Sequence, residues 1–276
     1  MKTCAQSRIF LIPDLTFQFR CLYYSENHFV NCKDMKMQTN LNRTLFLSHR
    51  GESDDAPENT LAAFKLAMER DSDGIELDIR MTSDGKIVCV HDASLLRVSG
   101  TDLEVSTHTF KELCDVHPVP LISEALDVLE AGKFMQIELK GKPFPLDELR
   151  SLIDKHLAMG KLIGISSFEI ETLELANRVF PELSRVLLID LEKYFGKFPT
   201  PEEVVEFCRQ HNFTGVSFKA DMRGDKSFVD ALHASGLRVV CWGVFTDELG
   251  LAMAAAGVEA LTCNHAVALR KIYGAE

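Results

Sequence analysis

Four short apolar runs of this chain end in residues that can do chemistry. Leu45-Phe46-Leu47-Ser48 leads into His49-Arg50-Gly51, and Ile87-Val88-Cys89-Val90 leads into His91-Asp92. Gly74-Ile75-Glu76-Leu77-Asp78-Ile79 holds two carboxylates two residues apart, and Phe134-Met135-Gln136-Ile137 leads into Glu138-Leu139-Lys140. Strand side chains alternate between faces, so Glu76 and Asp78 share one face, as do Glu138 and Lys140. Buried charge is costly unless compensated. Glu76, Asp78 and Glu138 turned inward together would repel one another unless a cation or basic groups stood between them. Three carboxylates suit a hard divalent ion such as Mg²⁺ or Ca²⁺. Two histidines with no thiolate nearby suit acid–base work better than zinc ligation. Taken singly these features are weak: a lone His at a strand end is ordinarily a hydrogen-bonded bystander, and a lone strand Glu ordinarily faces solvent. Their recurrence in four equivalent contexts is what carries the reading.

The segments that must position these groups have an α/β pattern from Thr44 onward. Apolar runs rich in β-branched residues fall at 45–49, 74–79, 86–91, 134–139, 161–166, 185–189, 214–218, 238–243 and 258–262, with helical periodicity between most of them. Leu61, Phe64 and Met68 form one helical face. Ser123 is expected to cap a helix running to Ala131, with Gly132 beyond it. Thr200-Pro201-Glu202-Glu203 reads as a capping box with proline at the first helical position. A further helix from about 226 should end at Gly236. The pattern predicts a closed (β/α)₈ barrel, with an open doubly wound sheet as the alternative; barrel active sites form at the C-terminal ends of the strands. Only Arg80 to Gly85 join two of the runs, too few for a parallel crossover of a dozen or more residues. Nine runs thus compete for eight places, and the barrel should be irregular near this pair.

Residues 1–43 lack clear periodicity and read as an extension that is poorly ordered or loosely docked, with the barrel spanning 44–276. Of 276 residues, 46% are hydrophobic and 26% charged, ordinary for a soluble globular protein. A net charge of −11 argues against a nucleic-acid partner and against an anionic lipid surface. An anionic substrate would need local Arg, Lys or a metal. No run approaches the roughly 20 apolar residues of a membrane helix, and no secretory signal is read. Eight cysteines without a Cys-x-x-Cys pair fit reduced thiols in a cytoplasmic protein.

His49-Arg50-Gly51 followed by Pro57-Glu58-Asn59-Thr60 resembles the opening signature of the glycerophosphodiester phosphodiesterases. Gly74-Ile75-Glu76-Leu77-Asp78, Thr82-Ser83-Asp84-Gly85 and Val90-His91-Asp92 resemble the family's second block, and Glu138-Leu139-Lys140 its third. Ser167-Phe168 and Trp242 match weaker later positions, and the likeness covers about 44 to 265. It implies an irregular barrel of the phospholipase-C-like phosphodiesterase type, a divalent metal, and hydrolysis of glycerophosphodiesters to sn-glycerol 3-phosphate and an alcohol. By the same resemblance His49 and His91 are the acid–base pair, and Glu76, Asp78 and Glu138 are metal ligands. Arg50 and Lys140 hold phosphate oxygens, Glu58 orients groups near His49, and Phe168 and Trp242 line the substrate pocket. The run Gly257-Val258-Glu259-Ala260-Leu261-Thr262-Cys263-Asn264-His265 departs from the family's ending, which bears on head-group preference. The stretch 93–120, which in the family can carry an insertion over the substrate, is short and implies an open site.

The expected chemistry has His49 as base and His91 as acid, with the vicinal glycerol hydroxyl attacking phosphorus to give a cyclic phosphate that water then opens. The expected partner is a small glycerophosphodiester, without stable membrane insertion. Two alternatives stand beside it: a phospholipase-type phosphodiesterase acting on a lipid head group, which calls for an exposed apolar rim or basic patch, and a non-catalytic phosphodiester-binding barrel, which calls for a missing His or ligand.

Overall fold

The computed structural model describes residues 43–274 apart from 142, 143 and 145, together with the backbone of 22–25 and 28–31. In the first of two compact units, Met1–Asn42, strands β1 (Leu22–Ser25) and β2 (His28–Asn31) pair as an antiparallel ribbon. The expectation of a loosely docked extension otherwise falls outside the described residues.

The second unit, Arg43–Glu276, contains a nine-stranded sheet. Its strands are β3 (Leu45–His49), β4 (Gly74–Met81), β5 (Ile87–Cys89), β6 (Phe134–Leu139), β7 (Leu162–Ser167), β8 (Ser184–Ile189), β9 (Gly215–Lys219), β10 (Arg238–Trp242) and β11 (Ala260–Cys263). All pairings are parallel except β4 with β5, and β3 pairs with both β4 and β11. Removing β5 from nine strands therefore leaves eight that close on themselves, a (β/α)₈ barrel.

The surplus strand explains the irregularity. The first half of β4 pairs with β3 through Gly74, Ile75 and Glu76. Its last residues instead pair with β5, Ile79 with Cys89 and Met81 with Ile87. A hairpin needs only a short turn, whereas a parallel crossover needs a helix-length connection. The segment after β5 packs a small apolar cluster onto Val88 of that strand, from Val90, Leu95, Val105, Leu113 and Val119.

Ile75, Leu77 and Ile79 are fully buried against the layer that includes Phe64 and Ala67 of the helix Leu61–Glu69, within the main core. Alternation then turns Glu76 and Asp78 to the opposite, inner face. Gly74 is required by close approach, since a Cβ there would meet the Phe134 carbonyl oxygen at 2.1 Å. Thr200 caps the helix Pro201–His211 with the expected capping box, and the helix Lys226–Ala234 stops just before Gly236, whose φ is 82°. The Ser123 expectation is corrected. That helix runs from Ile122 to Val128, so Ser123 lies inside it. Its entry is closed instead by Glu124, which accepts the Leu121 backbone N–H at 2.8 Å. Among the described residues no helix is long and apolar enough to cross a membrane.

The barrel seam is tied by buried Asp73. Its carboxylate accepts from Arg43 at 2.7 and 2.8 Å, from Arg270 at 2.7 Å, and from the Phe46 backbone at 3.0 Å. One side chain thus joins β3, the start of β4 and the helix Ala266–Tyr273. Removing it strands two guanidinium groups, one of them largely buried. We expect Asp73→Ala to cost about 2–3 kcal/mol of stability, read as a lower urea midpoint at unchanged m value. An unmoved midpoint would show that the seam is held elsewhere.

Candidate active site

The reactive groups converge at the C-terminal ends of β3, β4 and β6 and on the segment after β5. Strand register sets the cluster: Glu76 lies opposite His49 on β3, and Asp78 lies opposite Glu138 on β6. A cavity of about 540 Å³ opens there, with His49, Arg50, Glu76, His91, Glu138 and Lys140 on its walls.

Glu76, Asp78 and Glu138 are each buried and offer oxygens within 4.8 Å of one another. Lys140 Nζ lies 2.6 Å from Glu138 and 3.1 Å from Asp78. Arg50 Nε is 3.1 Å from Asp78, and Asn59 donates to the same carboxylate at 2.9 Å. Burial would raise the Asp78 pKa, but Lys140 and Arg50 outweigh it and hold Asp78 well below the usual carboxylate range. Glu76 goes the other way: burial, then repulsion from Asp78 and Glu138, pushes it far up. Glu138 is raised by burial and by Asp78. Glu76 Oε2 is buried with no hydrogen-bond partner. Lys140 and Arg50 thus compensate three carboxyl groups incompletely, and an orphaned Glu76 oxygen borders the cavity. An all-oxygen set of this kind fits a hard divalent ion.

The histidines have different partners. His49 Nδ1 meets Asn264 Oδ1 at 2.7 Å, while its Nε2 faces Glu76 at 3.9 Å. His91 Nδ1 meets the Asp92 carboxylate at 2.6 Å. Burial is the largest influence lowering both pKa values; beside His49 the Arg50 charge adds to it, and beside His91 the Asp78 charge opposes it.

Arg50 adopts a left-handed φ of 57°, a conformation that costs an L-residue about 1–2 kcal/mol. Its N–H donates to the Glu76 carbonyl at 2.7 Å and its carbonyl accepts from Asn59 at 3.0 Å, which hold the turn. Gly51 follows at φ 84°, where a Cβ would meet Ala63 at 2.6 Å, so the chain can pass the helix only with glycine there. The strained turn aims the guanidinium back over β4.

Each residue expected in the site is thus placed. Glu58 accepts from Arg50, the residue next to His49, at 2.9 Å and, through both oxygens, from Arg97 at 2.7 Å. Phe168 and Trp242 form an edge-to-face pair at 5.1 Å on the cavity wall, where Lys140 Nζ lies 5.7 Å from the Phe168 ring centre, joined there by Phe245, which is 78% exposed. Sequence reasoning overlooked Asn59, Asn264, Asp92 and Arg97. Asn59 and Asp92 sat inside quoted motifs, whereas nothing in the local pattern singles out Asn264 or Arg97.

Residues 49–268 match the model of the glycerophosphoryl diester phosphodiesterase family. A glycerophosphodiester phosphodiesterase of Caldanaerobacter subterraneus is 46% identical over 241 residues, covering 75% of this chain and 95% of that protein. A Bacillus subtilis glycerophosphodiester phosphodiesterase is 28% identical over 179 residues, covering 55% of this chain and 61% of that protein. Among solved structures, a glycerophosphodiester phosphodiesterase of Thermotoga maritima superposes with TM-score 0.65 at 24% identity, covering 83% of this chain and 98% of its own. An Oleispira antarctica phosphodiesterase in complex with the product sn-glycerol-3-phosphate superposes with TM-score 0.68 at 22% identity, covering 83% and 96%. At those identities the structural likeness speaks for the fold.

The raised carboxyls lead to a prediction. A divalent ion entering the cluster must displace protons from Glu76 and Glu138, so its affinity should rise with pH. Protons should be released as the ion binds near neutrality. Calorimetry in two buffers of different ionisation enthalpy measures this. A pH-independent affinity without proton release would show that the carboxyls are not the ligands.

Proposed function

This chain belongs to the glycerophosphoryl diester phosphodiesterase family, and from that premise we propose a mechanism. It cleaves glycerophosphodiesters to sn-glycerol 3-phosphate and an alcohol, using His49 and His91 as base and acid. The observation that carries this reading is the unlike pairing of the two imidazoles. An amide oxygen on His49 Nδ1 fixes the proton there and leaves the Nε2 lone pair free. Burial and Arg50 disfavour its charged form, as a base requires. A carboxylate on His91 Nδ1 favours the imidazolium, as an acid requires, and so opposes the burial that lowers this pKa.

Glu76, Asp78 and Glu138 would hold a divalent ion, Mg²⁺ or Ca²⁺, which supplies Lewis-acid stabilisation of charge on the phosphate. Arg50 and Lys140 bind phosphate oxygens, Arg50 with the planar fork and Lys140 as a point charge. Both are already oriented by carboxylates, so little reorganisation is needed on binding. Phe168 and Trp242 support the departing head group. His49 takes the proton of the vicinal glycerol hydroxyl, whose oxygen attacks phosphorus while His91 protonates the leaving alkoxide. The roles then exchange, as water opens the cyclic phosphate. A tethered hydroxyl carries an effective molarity of up to about 10⁵–10⁸ M in favourable geometry, which favours this route over direct attack by water. A cytoplasmic setting completes the reading: the five described cysteines are free thiols, as a reducing compartment keeps them.

One observation favours a second reading. Phe168 and Phe245, 45% and 78% exposed, give the cavity edge the apolar character that a lipid-head-group substrate calls for. Turnover of a lysophospholipid at a rate comparable to its deacylated counterpart would support it, and turnover of the deacylated diester alone would exclude it.

Two measurements test the mechanism. His49→Ala and His91→Ala should each lower kcat by about 10²–10⁴-fold. A nitrophenyl leaving group, which needs little protonation, should rescue His91→Ala alone; equal rescue of both would refute the assignment. A substrate lacking the vicinal hydroxyl should bind without turnover, and its cleavage at the normal rate would mean that water attacks directly.

A further inference from the structure

Two polar groups of the site reside on different segments. Arg50 sits on the turn after β3, whereas His91 follows β5, where Arg80 of β4 donates to its carbonyl at 2.9 Å. The two are joined by a continuous polar chain. His91 Nδ1 meets Asp92 at 2.6 Å, and the other Asp92 oxygen accepts from Arg97 Nε at 2.6 Å. Arg97 then donates through Nη1 and Nη2 to both oxygens of Glu58 at 2.7 Å, and Glu58 accepts from Arg50 at 2.9 Å.

We propose that Arg97 is a positioning residue that holds the acid His91 in register with the phosphate-binding Arg50; this rests on the histidine roles assigned above. Arg97 is not among the residues on the cavity wall, so it acts through its two carboxylate partners rather than on substrate. It uses three donors of its fork at once, two on Glu58 and one on Asp92, a geometry that a lysine ammonium cannot reproduce. Its side chain is 49% exposed, and ion pairs so exposed add little to stability. The construction is therefore better explained by alignment than by holding the fold. Without the fork, Asp92 loses its outer anchor and the His91 ring loses the constraint that points Nε2 at the leaving oxygen. Glu58 at the same time keeps only Arg50.

The test uses the full chain with Arg97→Ala and Arg97→Lys, each assayed on a glycerophosphodiester with an alkyl alcohol and on one with a nitrophenyl leaving group. The alkyl substrate should lose about 10- to 100-fold in kcat with both variants, the scale expected when a reacting group is misaligned. The nitrophenyl substrate should lose only a few-fold, because it needs little from the acid. Unfolding midpoints should match wild type, and added guanidinium ion should restore part of the kcat of Arg97→Ala. Unchanged kcat on the alkyl substrate, or equal losses on both leaving groups, would overturn the proposal. Should Arg97→Ala fail to fold, Arg97→Lys alone decides by the same leaving-group comparison. Inactivity of the wild-type chain on every glycerophosphodiester would instead sink the underlying functional reading.

Discussion

Three carboxylates share a buried space in this barrel, ion-paired among the described residues with Lys140 and Arg50. Glu76, Asp78 and Glu138 are all under a tenth exposed, and Lys140 and Arg50 are their nearest positive partners. Removing that much like charge from water is among the most expensive things a fold can do. The burden is shared unequally. Asp78 receives both cations and stays ionised, while Glu76 and Glu138 are left with proton affinities far above an ordinary carboxyl. A folded-state pKa above the unfolded value means that the stability contributed by the group fades as pH rises. Near neutral pH Glu76 and Glu138 therefore contribute less stability than at low pH, whereas Asp78, shifted the other way, contributes more, and the three together could hold a divalent ion.

The remainder of the site can be understood as scaffolding around that cluster. Parallel register between β4 and β6 brings Asp78 level with Glu138. The departure of β4 toward β5 carries His91 to the cavity from a segment outside the barrel wall. The left-handed turn at Arg50, made passable by Gly51, brings a guanidinium over the same carboxylates. Asp73 secures the seam at the opposite ends of the strands, so the strained groups sit on elements that are otherwise firmly closed.

Much of this was legible in the chain. The period-two alternation of Glu76 and Asp78, and the charged residues ending apolar runs, carry both the barrel and its reactive end, because strand geometry maps sequence position directly onto a face. Other features depend on contacts between distant segments. Asn264 reaches His49 across 215 positions, and Arg97 reaches Glu58 across 39, so no local pattern announces either. The antiparallel sense of β5 was legible only as a connection too short for the parallel alternative. Ser123 was misleading because a capping residue type stands two positions past the N-cap Leu121, where the Glu124 carboxylate closes the entry instead.

Burying Glu76, Asp78 and Glu138 together costs stability and leaves a place that could hold a cation. The most direct measurement compares unfolding midpoints of the metal-free protein and Glu76→Gln near pH 8, with and without Ca²⁺ or Mg²⁺. The account predicts that without metal the variant is at least as stable as the wild type, and that the ion raises the midpoint of the wild type alone. A metal-free variant that is less stable than wild type, or an equal rise for both proteins, would contradict it.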